Sequence, residues 1–187
     1  TDAEIVHLKT LDQLKDLNLI DTRITDVGVA YIRPLTRLQN LYLSGTRITD
    51  AGLLHLGGMT NLKVLYLDNT KVTDAGLMHL EGMTNLTVLY LSKTKITDAG
   101  LVYLKGLANL ETLWLTNTQI TDAGLHSLNR LKNLKVIILE GTQVTAAGAA
   151  ELHKALPNSG ITFGVFGSIM PSTIPQDEAT GANSPAQ

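Results

Sequence analysis

A pattern of 24 residues recurs through almost the whole chain, and that recurrence restricts the fold more than any single motif can. At this period Leu17, Leu41, Leu65, Leu89, Leu113 and Ile137 fall in one column, and Leu19, Leu43, Leu67, Leu91, Leu115 and Leu139 in another. A third column is threonine throughout: Thr22, Thr46, Thr70, Thr94, Thr118 and Thr142. Self-similarity at a fixed period in the twenties marks a solenoid, in which one unit cannot bury its apolar face alone and stacked neighbours build a shared core. Function is therefore to be sought in columns rather than in isolated motifs.

Each unit reads L-x-x-L-x-L-x-x-T-x-[IV]-T-D-x-G, followed by apolar residues at helical spacing such as Leu101, Leu104 and Leu107. In Leu89-Tyr90-Leu91 the alternation sends the leucines to one side and Tyr90 to the other. The same alternation predicts strands near 15–19, 39–43, 63–67, 87–91, 111–115 and 135–139. The T-D-x-G segment predicts a helix start, because Thr and Asp both favour the N-cap and Asp also suits the positive helix end. Either residue could be the cap. The helices are expected to stop about eight residues later at Pro34, Gly58, Gly82 or Gly106, which do not easily continue them.

The solenoid is expected to span residues 1–163 as one domain: a half-repeat at 1–14, six units, and a short closing strand near 161–163. Glu4 replaces the usual Gly, and Ala146 replaces the usual Asp in the last unit. Residues 164–187 read as a linker-like tail rich in Pro, Gly, Ser and Ala, with Val165, Phe166, Ile169 and Met170 able to fold back over the final core layer. Because Thr1-Asp2-Ala3 is in register with Thr49-Asp50-Ala51, the chain is expected to begin inside a repeat, as a fragment or processed product.

These motifs resemble the leucine-rich repeat superfamily over residues 1 to about 163. The repeat length and the T-D-A-G-L helix start are similar to bacterial GALA-type repeats and to the ribonuclease-inhibitor-like and F-box-associated repeats of eukaryotes. One column departs from the usual pattern, since the position normally held by Asn or Cys is Thr in all six copies. The resemblance implies a right-handed α/β solenoid, with a curved parallel sheet on the concave face and short helices on the convex face. It also implies binding of other proteins, and carries over no catalytic residue.

Composition narrows the function further. A formal charge of −2 and a pI near 6.2 argue against a general nucleic-acid or anionic-membrane binder. With no cysteine there is no disulfide or thiolate chemistry, nor the Cys-rich end caps of extracellular animal relatives, so a bacterial or intracellular protein is expected. No signal peptide or run of 18 apolar residues is visible. No phosphate loop, zincin motif or nucleophile elbow appears, and neither an enzyme nor a cofactor is expected.

The outward column of the sheet carries the main functional expectation: Asn18, Tyr42, Tyr66, Tyr90, Trp114 and Ile138. Equivalent residues on adjacent strands lie about 4.8 Å apart, so Tyr42, Tyr66, Tyr90 and Trp114 form an aromatic stripe suited to partner contact. The bland alternative is a cross-strand ladder that only stabilises the sheet. Arg47, Lys71 and Lys95, preceded by Arg23, form a basic stripe that either rims the partner site or is simply solvated. Single-stranded nucleic acid is disfavoured by the charge, and sugar stacking on the aromatics remains an alternative, as does a spacer role within a larger protein.

Other columns have simpler explanations. Asp26, Asp50, Asp74, Asp98 and Asp122 read as repeated helix caps rather than a calcium ladder, because Gly-rich ligand loops are absent. His7, His55 and His79 supply too few neighbouring ligands for zinc. Ser92-Lys93-Thr94-Lys95 matches an acyl-transfer S-x-x-K pattern, but Ser44-Gly45-Thr46-Arg47 shows it to be repeat drift. Asn85-Leu86-Thr87 is a formal glycosylation sequon.

Overall fold

The structure, a computed structural model, describes residues 1–164 and 167–171. The tail residues Val165 and Phe166 and the stretch 172–187, read above as linker-like, lie outside the described residues. Six parallel strands, β1 Asp16–Asn18, β2 Asn40–Tyr42, β3 Val64–Tyr66, β4 Val88–Tyr90, β5 Thr112–Trp114 and β6 Val136–Glu140, pair in sequence order. Their register joins equivalent residues, as in Leu65 beside Leu89 and Tyr66 beside Tyr90. A seventh strand, β7 Gly160–Gly164, continues the parallel sheet, and β8 Gly167–Ile169 turns back antiparallel along its edge. Ile169 packs against the core, so the fold-back expected of this residue occurs, in the form of a strand.

Apart from the half-buried Leu19, both leucine columns are buried, and from Leu41 to Leu139 their members are 0% exposed. The half-repeat covers the first layer less completely. Ile5 is 5% and Leu11 is 47% exposed, against 0% for Leu53 and Leu56 and 1% for Met59.

Between strands run helices α1 Asp2–Ile5, α2 Asp26–Ile32, α3 Asp50–Leu56, α4 Asp74–Leu77, α5 Asp98–Leu101, α6 Asp122–Leu125 and α7 Ala146–Ala155. Sequence reasoning expected about eight α-helical residues in each. Instead α4, α5 and α6 hold four each before tightening into 3-10 turns at Met78–Leu80, Val102–Gly106 and His126–Leu128. A 3-10 turn climbs about 2.0 Å per residue against about 1.5 Å for an α-helix, which returns the chain to the next strand in fewer residues.

The T-D-x-G motif does more than start these helices. Thr is the N-cap: the Thr49 hydroxyl accepts from the Ala51 N–H at 3.3 Å, Thr25, Thr73, Thr97 and Thr121 do the same in their units, and Thr145 accepts from the Gly148 N–H. The Asp side chain reaches the following unit instead. Asp26 accepts from the Thr49 N–H at 2.8 Å and from the Thr49 hydroxyl at 2.7 Å. The same two-point clamp joins Asp2 to Thr25, Asp50 to Thr73, Asp74 to Thr97, Asp98 to Thr121 and Asp122 to Thr145. At the first rung, burial pushes the Asp2 carboxyl up, but hydrogen bonds from Thr25 together with the N-terminal charge outweigh it and hold the group below its ordinary value.

From Asp26 to Asp122 a glycine follows two residues after each Asp, because the previous unit's carboxylate occupies the space of a side chain. A Cβ on Gly100 would sit 2.3 Å from Asp74 Oδ1, and one on Gly52 would sit 2.6 Å from Asp26 Oδ1.

The other threonine column closes turns inside its own unit. Thr46 and Thr118 donate to the carbonyls of Leu43 and Leu115, both at 2.6 Å, and Thr22, Thr70, Thr94 and Thr142 match them. It therefore does not replace an inter-repeat asparagine ladder. That ladder lies elsewhere, where Asn61, Asn85, Asn109 and Asn133 donate to the carbonyls of Thr36, Thr60, Thr84 and Ala108 one unit back.

Two stability experiments follow from this geometry. Leu91→Ala should cost about 2–5 kcal/mol in urea unfolding, since it opens a cavity between units, and a loss below about 1 kcal/mol would remove Leu91 from the core. Gly100→Ala should destabilise the native chain but much less an Asp74→Ala chain, because the carboxylate it collides with is gone; additive effects in that double-mutant cycle would contradict the clamp.

Candidate functional site: the aromatic sheet face

The face of the sheet turned away from the helices is where the outward residues of each strand meet. Tyr42, Tyr66, Tyr90 and Trp114 stand in register along it, and all four are half-buried. Their rings touch. Tyr66 and Tyr90 stack with centroids 4.0 Å apart and planes 6° from parallel, and Tyr90 stacks on Trp114 at 4.6 Å and 14°. Tyr42 meets Tyr66 edge-on at 4.9 Å. The small size of the neighbours Ser44, Ser92 and Thr116 suggests, on the sequence alone, that the ring faces lie open. The structure differs, because strand spacing brings successive rings into van der Waals contact and the inner faces cover one another.

Those small residues instead open a groove along the ring edges. Their column, Ile20, Ser44, Asp68, Ser92, Thr116 and Glu140, lines a groove of about 600 Å³ together with Tyr66, Tyr90, Trp114 and Ile138. Asp68 is tied into the floor, accepting from the Ser92 N–H at 2.8 Å and from the Ser44 hydroxyl at 3.0 Å. The Ser92 hydroxyl is buried and has no hydrogen-bond partner among the described residues. It makes no bond to Lys95, so the S-x-x-K pairing is not assembled. Sequence reasoning did not single out Asp68 or Glu140, because their column mixes apolar, hydroxyl and acidic side chains and has no repeating signature.

Beside the groove runs a column of left-handed turn residues: Asp21, Asn69, Lys93 and Asn117 have φ between 52° and 57°, and Gly45 and Gly141 have φ of 70° and 67°. Lys93 lines the groove rim from this position. Arg47, Lys71 and Lys95 lie two residues further on, all exposed and without ion pairs among the described residues, and none of them lines the groove. The structure thus brings the aromatics together but sets the basic stripe to one side.

The remaining columns are engaged structurally. The Asp carboxylates hold the next unit's Thr, and the Asn85 amide donates to Thr60 at 2.9 Å. Among the described residues no three His, Asp or Glu side chains converge on a point that could hold a metal. No described helix is long and apolar enough to cross a membrane.

Burial pushes the Tyr66 phenol up to about 12, aided by its hydrogen bond with Tyr90 and by the charges of Tyr90 and Asp68. The folded chain therefore holds this proton more tightly than the unfolded chain does. Its contribution to stability is complete below the ordinary tyrosine value near 10 and is lost as pH rises from about 10 through about 12. Urea midpoints taken across that window should fall more steeply for the native chain than for Tyr66→Phe; parallel slopes would place the Tyr66 phenol in ordinary solvent.

Comparison with known proteins agrees with this architecture. The family described as Leucine Rich repeats (2 copies) matches residues 36–77 and 84–125. Internalin C2 from Listeria monocytogenes superposes with a TM-score of 0.67 at 30% identity, covering 83% of this chain and 74% of that one. A second internalin of the same organism, inlF, shares the fold at a TM-score of 0.57 and 22% identity, covering 88% of this chain and 49% of that one. No curated protein matches the sequence. With the repeat columns, the stacked parallel strands and these matches in place, the chain belongs to the leucine-rich repeat superfamily.

Proposed function

We propose that this chain is a non-enzymatic protein-binding module that meets its partner with the exposed sheet face. Tyr42, Tyr66, Tyr90 and Trp114 are the anchors, and Arg47, Lys71 and Lys95 form a polar flank beside them. The leucine-rich repeat fold is typical of protein-binding modules, which supports the class of function. The observation that carries the reading is the preformed groove beside the ring stack, where aromatic edges, hydroxyls and carboxylates share one concavity. Large rings held rigid before contact give area at little entropic cost, the usual character of a binding hot spot.

The ring contacts favour a second reading, in which the stack stabilises the sheet and the chain is a spacer or assembly segment of a larger protein. A stacked pair contributes about 0.5–1.5 kcal/mol beyond its buried area, enough to account for the aromatics without a partner. Carbohydrate binding loses support, since stacking on sugar needs ring faces that Tyr66 and Tyr90 turn toward each other.

The readings separate on a substitution that fills the groove without touching the stack. Proteins captured from the source organism should bind Thr116→Tyr at least tenfold more weakly than the native chain, while Leu54→Arg on the opposite, helical side leaves binding intact. Loss with Leu54→Arg but not with Thr116→Tyr would move the site off the sheet face, and failure to capture any partner would favour the spacer. Alanine at both Tyr66 and Tyr90 is the poorer probe, because removing two stacked rings lowers stability as well.

A further inference from the structure

Resting on the reading of the sheet face as a protein-binding surface, we infer that its groove takes an arginine side chain of the partner, with the guanidinium against the Trp114 indole and paired with Glu140. The ring stack has a defined end. Trp114 presents one face to Tyr90, and on the far side its register neighbour is Ile138, not another ring. The stack thus ends against an aliphatic residue, and the part of the indole that Ile138 does not cover lies in the groove that both residues line.

Glu140 lies two residues beyond Ile138 on the same face of its strand and lines the same groove. From strand spacing and rise, its Cα is about 8 Å diagonally from that of Trp114, a span that one guanidinium and one carboxylate bridge. Glu140 is exposed, and its carboxylate has neither hydrogen bond nor ion pair among the described residues.

Electrostatics select a cation. Asp68 adds a second carboxylate to the groove, where Lys93 on the rim is the one lysine or arginine. The indole face attracts positive charge as well. Arginine fits better than lysine, because its planar fork both stacks on an aromatic face and pairs a carboxylate through two parallel hydrogen bonds. The unpartnered Ser92 hydroxyl, buried along the same groove, is a further polar group for the segment that carries the arginine.

Trp114 is the single tryptophan of the chain, so its emission reports directly on this position. The probe is an acetylated and amidated Gly-Gly-Arg-Gly-Gly peptide, titrated into the intact chain at low salt. Saturable quenching of Trp114 is expected, at least fivefold weaker in Glu140→Gln and absent with the glutamate counterpart of the peptide. No saturable change, or equal affinity for native and Glu140→Gln chains, overturns the inference. A captured partner that is lost with Thr116→Tyr yet indifferent to Glu140→Gln also overturns it, while leaving the protein-binding reading standing. Peptide binding as expected, with partners unaffected by Thr116→Tyr, instead sinks that reading and with it the assignment of the arginine to a protein.

Discussion

The carboxylate that each unit extends to the next unit's threonine is the contact on which this solenoid depends. Leucine layers supply most of the attraction, but apolar contact is non-directional and tolerates sliding. The Asp–Thr clamp does not, because one carboxylate must meet an N–H and an O–H that are fixed on the same residue. Hydrogen bonds to a charged group contribute about 1.5–3 kcal/mol each, and here they also set the offset between units. Thr serves both directions at once, donating backward to Asp while accepting from its own helix. Gly is the corollary, since the clamp needs the volume where a Cβ would be.

At the C-terminal end the clamp stops before the parallel sheet does. Its last rung joins Asp122 to Thr145, and Ala146, next in the Asp column, offers no carboxylate. Beyond that rung β7 still pairs parallel with β6, and the direction reverses only at β8, antiparallel to β7 along the sheet edge. The parallel pairing therefore runs one strand past the last clamp, held there by the strand ladder and the leucine layer.

Much of this was legible in the sequence. Period fixes which residues share a layer, and alternation fixes which side of a strand each faces, so the strands, the leucine core and the outward aromatics could be located. Local rules could not show that Asp74 bonds Thr97 rather than capping its own helix, because the pairing crosses between units and a helix start satisfies both residues equally well. The left-handed column was hidden by its mixed identities, with Lys93 standing where Asn69 and Gly45 stand in other units. The groove escaped for a similar reason: Ile20, Ser44, Asp68, Ser92, Thr116 and Glu140 share a position but not a chemistry. Ring orientation depends on side-chain torsions, which a column of names does not contain.

Stacking and binding are not rival uses of the aromatic column. A ring clamped between neighbours has already lost the rotamer freedom that an isolated tyrosine would surrender on contact, and that loss is charged to folding rather than to association. What the stack withholds is its inner faces; what it leaves along the groove is a row of ring edges, the hydroxyls of Ser44 and Thr116, and the part of Trp114 that Ile138 does not cover. Edges and hydroxyls are spread along the groove and suit many extended segments about equally. The indole occurs at a single rung, diagonal to a carboxylate that no described residue neutralises, so on the proposed reading that end sets the register of a bound segment.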